Sequence, residues 1–210
     1  MPAGSKGGDA AVFADDLNVF QLFDTEVPND ELFQHMSECR EATHKWGKMN
    51  RVTFDAAKDH LIIIHPIFAS GDPFRLLGCL VDCKLQMLQA IDNILTQVRP
   101  KMWALLRTRA HYDLRTLVNQ FKTHLWGLME IHNGAIFHAA TTHLNKIDSL
   151  QRHFLHELDI SEEDAFLNYN FAPPSLRRDI GILGLLHKRV LGKAHPVYQK
   201  LLSIARFLGL

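Results

Sequence analysis

Val12-Phe13-Ala14-Asp15-Asp16-Leu17-Asn18-Val19-Phe20 is the stretch on which the reading of this chain turns. Two adjacent aspartates stand between apolar runs. Val12 and Phe13 lead in; Leu17, Val19 and Phe20 lead out. Aromatic and β-branched residues on both sides of a short polar break predict a strand–turn–strand hairpin. The turn then presents Asp15 and Asp16 at its tip. Oxygen donors of this kind suit Mg²⁺, which takes one or two protein carboxylates and leaves the rest of its shell to water and phosphate oxygens. Two such ions can clamp the attacking and leaving oxygens of a phosphoryl transfer. A solvated Asp-Asp turn is also a common structural device, because Asp tolerates turn geometry.

Working outward, the 210 residues suffice for one large domain or two small ones. Apolar residues make up 47% and charged residues 22%, which fits a globular chain. No apolar run reaches the ~18 residues of a membrane span, so no membrane partner is expected. Met1 to Gly8 lacks the apolar core of a secretory signal and reads as a flexible leader. The expected location is intracellular, nuclear or cytoplasmic, rather than secreted. Three cysteines argue against a disulfide framework. Cys79 and Cys83 have no second Cys/His pair at finger-like spacing, so free thiols are expected. Residues 1–83 carry 7 basic and 13 acidic side chains, a balance of −6; residues 84–210 carry 16 and 10, a balance of +6. An acidic half followed by a basic one fits a nucleic-acid enzyme.

Past the hairpin, Pro28-Asn29-Asp30-Glu31 predicts a helix start, with Asn29 as cap and Gly47 as terminator. Leu61 to Ile64 reads as a buried strand, and Leu76 to Val81 as another with a bend at Gly78. From Lys84 onward the apolar period is helical. Pro100 is expected to restart the first helix, Asp113 to cap the next, and Asn133-Gly134 to interrupt it. Thr142 opens a further helix, Ser161-Glu162-Glu163-Asp164 has capping-box form, Pro173-Pro174-Ser175 precedes another helix, and His195-Pro196 starts the last.

Arg99, Lys101, Arg107 and Arg109 surround Trp103, a basic stripe that can track phosphates while the aromatic packs on sugars or bases. Arg177, Arg178, Lys188, Arg189 and Lys193 form a second basic cluster. The thirteen histidines, His153 and His156 among them, show no H-E-x-x-H pattern.

Phe13-Ala14-Asp15-Asp16 resembles the aromatic-x-Asp-Asp box of reverse transcriptases, in the form typical of non-LTR (LINE-type) retrotransposons. The following segments resemble the same family in its order. Phe54-Asp55-Ala56-Ala57-Lys58 is similar to the Asn-x-x-Lys motif after the catalytic hairpin, and Phe74-Arg75-Leu76-Leu77-Gly78 to the primer-grip turn. Gln120 to Trp126 and Leu144 to Leu155 are similar to helices that follow the polymerase palm.

The resemblance implies an α+β fold: a leader over 1–8, a partial palm of hairpin, helix and short strands over 9–83, and an all-helical thumb and connection region over 84–210. It implies a nucleotidyltransferase using Mg²⁺ or Mn²⁺, with RNA template, DNA primer and nucleotides as partners. Asp15 would be the metal ligand, Asp16 its neighbour, and Lys58 the proton donor to pyrophosphate. Leu77 and Gly78 would meet the primer, and Arg99, Lys101, Trp103, Arg107 and Arg109 the duplex. The family pairs Asp15 with an aspartate on an earlier strand. Fourteen residues precede Asp15 here, and Asp9 is too near to fill that place. Weak metal binding and no independent activity are therefore expected of residues 1–210. The competing readings are a non-catalytic nucleic-acid-binding remnant and a helical protein-interaction module.

Overall fold

A computed structural model describes residues 5–13, 16–24, 26–65 and 67–192, with side chains from residue 17 onward except residue 189. The chain is α+β with helix predominating. It divides into two compact units, Met1–Phe74 and Arg75–Leu210. The predicted boundary at residue 83 thus falls inside the second unit.

The first unit opens with β1 (Ser5–Phe13) and β2 (Asp16–Phe23), an antiparallel pair in which Phe13 stands opposite Asp16 and Val12 opposite Leu17. The predicted hairpin is present and longer than expected. Ser5 to Gly8, read as leader, pairs with Gln21 to Phe23 after an irregularity between Ser5 and Gly7. The β-prone run Leu17 to Phe23 needs only backbone donors and acceptors from its partner, and glycines supply these as well as any residue.

A long helix, α1 (Asn29–Met49), follows, with Asp30 and Glu31 in its first turn where the helix dipole favours them. Pro28 holds the cap position, so the predicted cap Asn29 is the first helical residue; its side-chain amide donates to Phe68 O at 3.2 Å. His35 joins α1 to the hairpin through a 2.7 Å bond to Gln21 and an edge-on contact with Phe23. Gly47 does not end the helix. A Cβ there would lie 2.7 Å from Val52 O and 2.9 Å from the Phe54 ring, so the glycine lets the following loop fold back onto α1. Leu61 to Ile64 is not a buried strand. One bridge, Ile63 to Ser70, closes a loop, and Ile64 is exposed. A strand buried on both faces needs layers on both sides; among the described residues of this unit Leu32 is the only buried hydrophobic.

The second unit starts with β3 (Phe74–Leu76) and β4 (Cys79–Val81), a hairpin where one strand was predicted. Leu77 and Gly78 both have positive φ, 48° and 85°, which makes a two-residue turn whose twist matches that of paired strands. The Asp82 carboxylate then accepts from the backbone N–H groups of Lys84, Gln86 and Met87, ordering the link to α2 (Leu88–Arg107). The predicted break at Pro100 does not occur; α2 runs through it. Losing one turn's bond to proline costs roughly 3 kcal/mol. Burying each of Ile94, Leu95, Val98, Met102 and Leu106 on one continuous face returns about 1.5–3 kcal/mol, so continuity wins.

Asp113 caps α3 (Leu114–Phe121) as predicted, accepting from Thr116 N at 2.9 Å. The helix widens into a π turn over Lys122–Trp126 and continues as α4 (Gly127–Glu130). A break at Ile131 and His132 leads to α5 (Asn133–Ile136), then α6 (Thr141–Glu157). Ser161 caps α7 (Glu162–Tyr169) as predicted, accepting from Asp164 N and donating to its carboxylate. Pro174 is the first residue of α8 (Pro174–Val190). The helix predicted from His195 lies outside the described residues. The core joins the inward faces of α2, α3 and α6 around Phe121, Phe154 and Phe171. Among the described residues no helix is long and apolar enough to cross a membrane.

Candidate catalytic hairpin and nucleic-acid interface

Of the two box aspartates, Asp15 lies outside the described residues, and Asp16 is described as backbone only, the first residue of β2. The register places Phe13 and Asp16 as the last pair before the connection, so the box straddles the hairpin end. Asp9, considered as a second ligand, pairs with Phe20, four positions farther along. At about 3.4 Å per residue that is roughly 13 Å away, too far to share one ion. Asp55, the other candidate, is the cap of a 3₁₀ turn at Ala56–Lys58 and accepts from Ala57 N at 3.1 Å. Among the described residues no group of three His, Cys, Asp or Glu is placed to hold a metal.

Lys58 ends the 3₁₀ turn with its side chain 84% exposed and its ammonium 4.0 Å from Asp55. Beside it lies a cluster that the sequence reading missed. Asp59 accepts from or pairs with His44 at 2.8 Å, and Arg40 Nε lies 3.6 Å from the same oxygen. Phe54 stands edge-on to His44. These contacts fix the Lys58 segment against α1. They join residues well apart in sequence, beyond the reach of local periodicity.

On α2 the predicted basic stripe divides. Arg99, Trp103 and Arg107 recur every four residues on one exposed face. Trp103 is 45% exposed and leans edge-on against His153 at 5.1 Å. Lys101 lies on the opposite flank, beside Ala104, Gln120 and His124. Arg109 pairs with Glu157 at 2.8 Å, so its charge is already met. Leu77 projects from the β3–β4 turn, 57% exposed, and Gly78 sits beside His132, whose burial lowers its pKa. The buried Cys79 thiol is pushed up, as suits an unreactive core cysteine.

The second basic cluster is also two things. Arg177 donates from Nε and Nη2 to the two carboxylate oxygens of Glu130 and lies 3.5 Å over the Trp126 ring. Arg178 is buried against Asp148. Lys188 is exposed; the Arg189 and Lys193 side chains lie outside the described residues. No protein-family model, no curated protein and no solved structure matches the chain.

Proposed function

We propose that this chain carries the catalytic hairpin, the primer-grip turn and the thumb helices of an RNA-directed DNA polymerase of the non-LTR retrotransposon kind. The observation that supports the reading is the order of elements. A hairpin brackets Asp15 between Phe13 and Asp16; one long helix follows; then come a lysine-bearing turn, a tight hairpin on Leu77-Gly78, and a helical unit. The first unit also leaves Val19, Phe20, Leu22 and Trp46 exposed, as suits part of a wider layer, since a lone two-stranded hairpin is marginal in water.

In the proposed reaction a primer 3′-hydroxyl attacks the α-phosphate of a nucleotide and pyrophosphate leaves. Mg²⁺ bound at Asp15 supplies charge neutralisation at the phosphates. Lys58, largely exposed and only loosely paired with Asp55 at 4.0 Å, swings its ammonium toward the departing pyrophosphate. Leu77, held out by its turn, packs against the primer. Arg99 and Arg107 meet phosphates of the duplex, and Trp103 between them packs on a sugar. The part of this reaction proposed for testing is the holding of primer–template by residues 1–210.

The test is binding of an RNA–DNA hybrid with a recessed 3′ end, followed by anisotropy over a range of salt. Arg99→Gln with Arg107→Gln should flatten the log–log salt slope by about 2, since each arginine that neutralises a phosphate contributes roughly 0.9. An unaltered slope contradicts the interface.

A further inference from the structure

Three cations gather at the π turn of the second unit, and one of them is ion-paired. Lys122 opens the turn. Its ammonium donates to the carbonyl of Tyr169 and lies 5.5 Å from the Trp126 ring centroid. Arg115, earlier on α3, stands 5.8 Å over the Tyr169 ring. Arg177 reaches the same place from α8 and covers the Trp126 face. Glu130 answers Arg177 with both oxygens. Among the described residues, neither Arg115 nor Lys122 has a carboxylate within ion-pair distance. Asp113, the nearest acid in sequence, caps α3. Its bonds to Thr116 first, and then the nearby Arg115 charge, hold its carboxyl below the ordinary range, so Asp113 offsets Arg115 only from a distance.

Three cations on neighbouring elements, of which only Arg177 has a carboxylate bonded to it, repel one another. The Lys122 ammonium shows this: burial first, then Arg177 and Arg115, hold its pKa below the ordinary lysine range. The π turn adds to the cost by interrupting regular helix bonding, and such turns are frequent at functional sites. A cluster kept at this cost calls for an anion. Trp126 is already engaged, by Arg177 at 3.5 Å over its ring and by Phe171 stacked at 5.2 Å. With the indole so engaged, the group recognised here is the charge.

We propose that Arg115 and Lys122, backed by the Arg177–Glu130 pair, form a phosphate-binding site at the π turn. The phosphate comes either from a nucleic-acid backbone or from a small phosphate compound. The proposal stands on charge and geometry and does not depend on the polymerase reading.

The experiment uses the full chain and inorganic phosphate, against chloride at matched ionic strength, with amide and indole resonances of residues 113–126 followed by NMR. Phosphate should shift these signals. Arg115→Gln with Lys122→Gln should weaken the response by at least roughly tenfold, as expected for losing charged hydrogen bonds. A duplex-binding arm separates the sources. If the double variant also flattens the salt slope by about 2, the phosphate is that of a nucleic-acid backbone; if the slope holds, it belongs to a small compound. Circular dichroism checks folding, and Arg115→Gln alone, at an exposed position, carries the test if the double variant unfolds. Absent shifts at tens of millimolar phosphate, or equal shifts in the variants, overturn the proposal.

Discussion

Arg178 and Asp148 face each other through two hydrogen bonds, Nη1 to Oδ1 at 2.8 Å and Nη2 to Oδ2 at 3.0 Å, joining α8 to α6. The arginine is 6% exposed. Its charge therefore serves packing and is withdrawn from any ligand. Asp148→Ala leaves a buried guanidinium unpaired and should cost about 3–5 kcal/mol in urea unfolding. Arg178→Met with Asp148→Leu should recover most of that loss. A cost below about 1 kcal/mol for the single change would show the pair to be solvated.

His132 gives the second unit a pH dependence. Burial lowers its pKa beneath the ordinary 6.5. The unfolded chain therefore takes up its proton first as pH falls. Stability is full above the ordinary histidine value, declines as pH drops from there to the folded value, and then levels. His132→Gln removes this contribution. Urea midpoints compared at about pH 7.5 and about pH 5.5, on either side of the ordinary histidine value, should lie closer together in the variant than in the parent chain. Equal differences would contradict the assignment.

Leu77 holds a left-handed conformation at φ 48° while largely exposed. For a non-glycine residue this costs about 1–2 kcal/mol, and nothing buried is gained in return. Leu77→Asn, a residue suited to that turn position, should raise stability by up to about 1 kcal/mol. Under the proposed function it should also weaken binding of a recessed RNA–DNA hybrid, because the apolar side chain proposed to meet the primer is gone. Stabilisation with binding unchanged would leave the exposed leucine without a role.

What could be read directly from the chain was local. Asp113 and Ser161 cap helices through atoms three residues away, and the buried face of α2 repeats at its own helical period. The hairpin around Asp15 and Asp16 was legible because β-prone runs flank a short break. Features set by distant partners were not. Gly47 reads as a terminator until Val52 and Phe54 are seen to pack on it. Pro100 reads as a break until the burial on either side outweighs it. Arg109, Arg177 and Arg178 read as free cations; their acids lie 48, 47 and 30 residues away. The π turn has no period that marks it in advance. The Leu61 to Ile64 run shows the converse error, since apolar content alone does not supply the layers that bury a strand.

The central claim is that Asp15 belongs to a metal-binding catalytic hairpin. Mn²⁺ added to the labelled chain, with paramagnetic broadening followed residue by residue, tests it most directly. The account predicts broadening centred on residues 12–20 at millimolar Mn²⁺, abolished by Asp15→Asn. Unchanged signals over residues 12–20, or broadening that persists in Asp15→Asn, would contradict it.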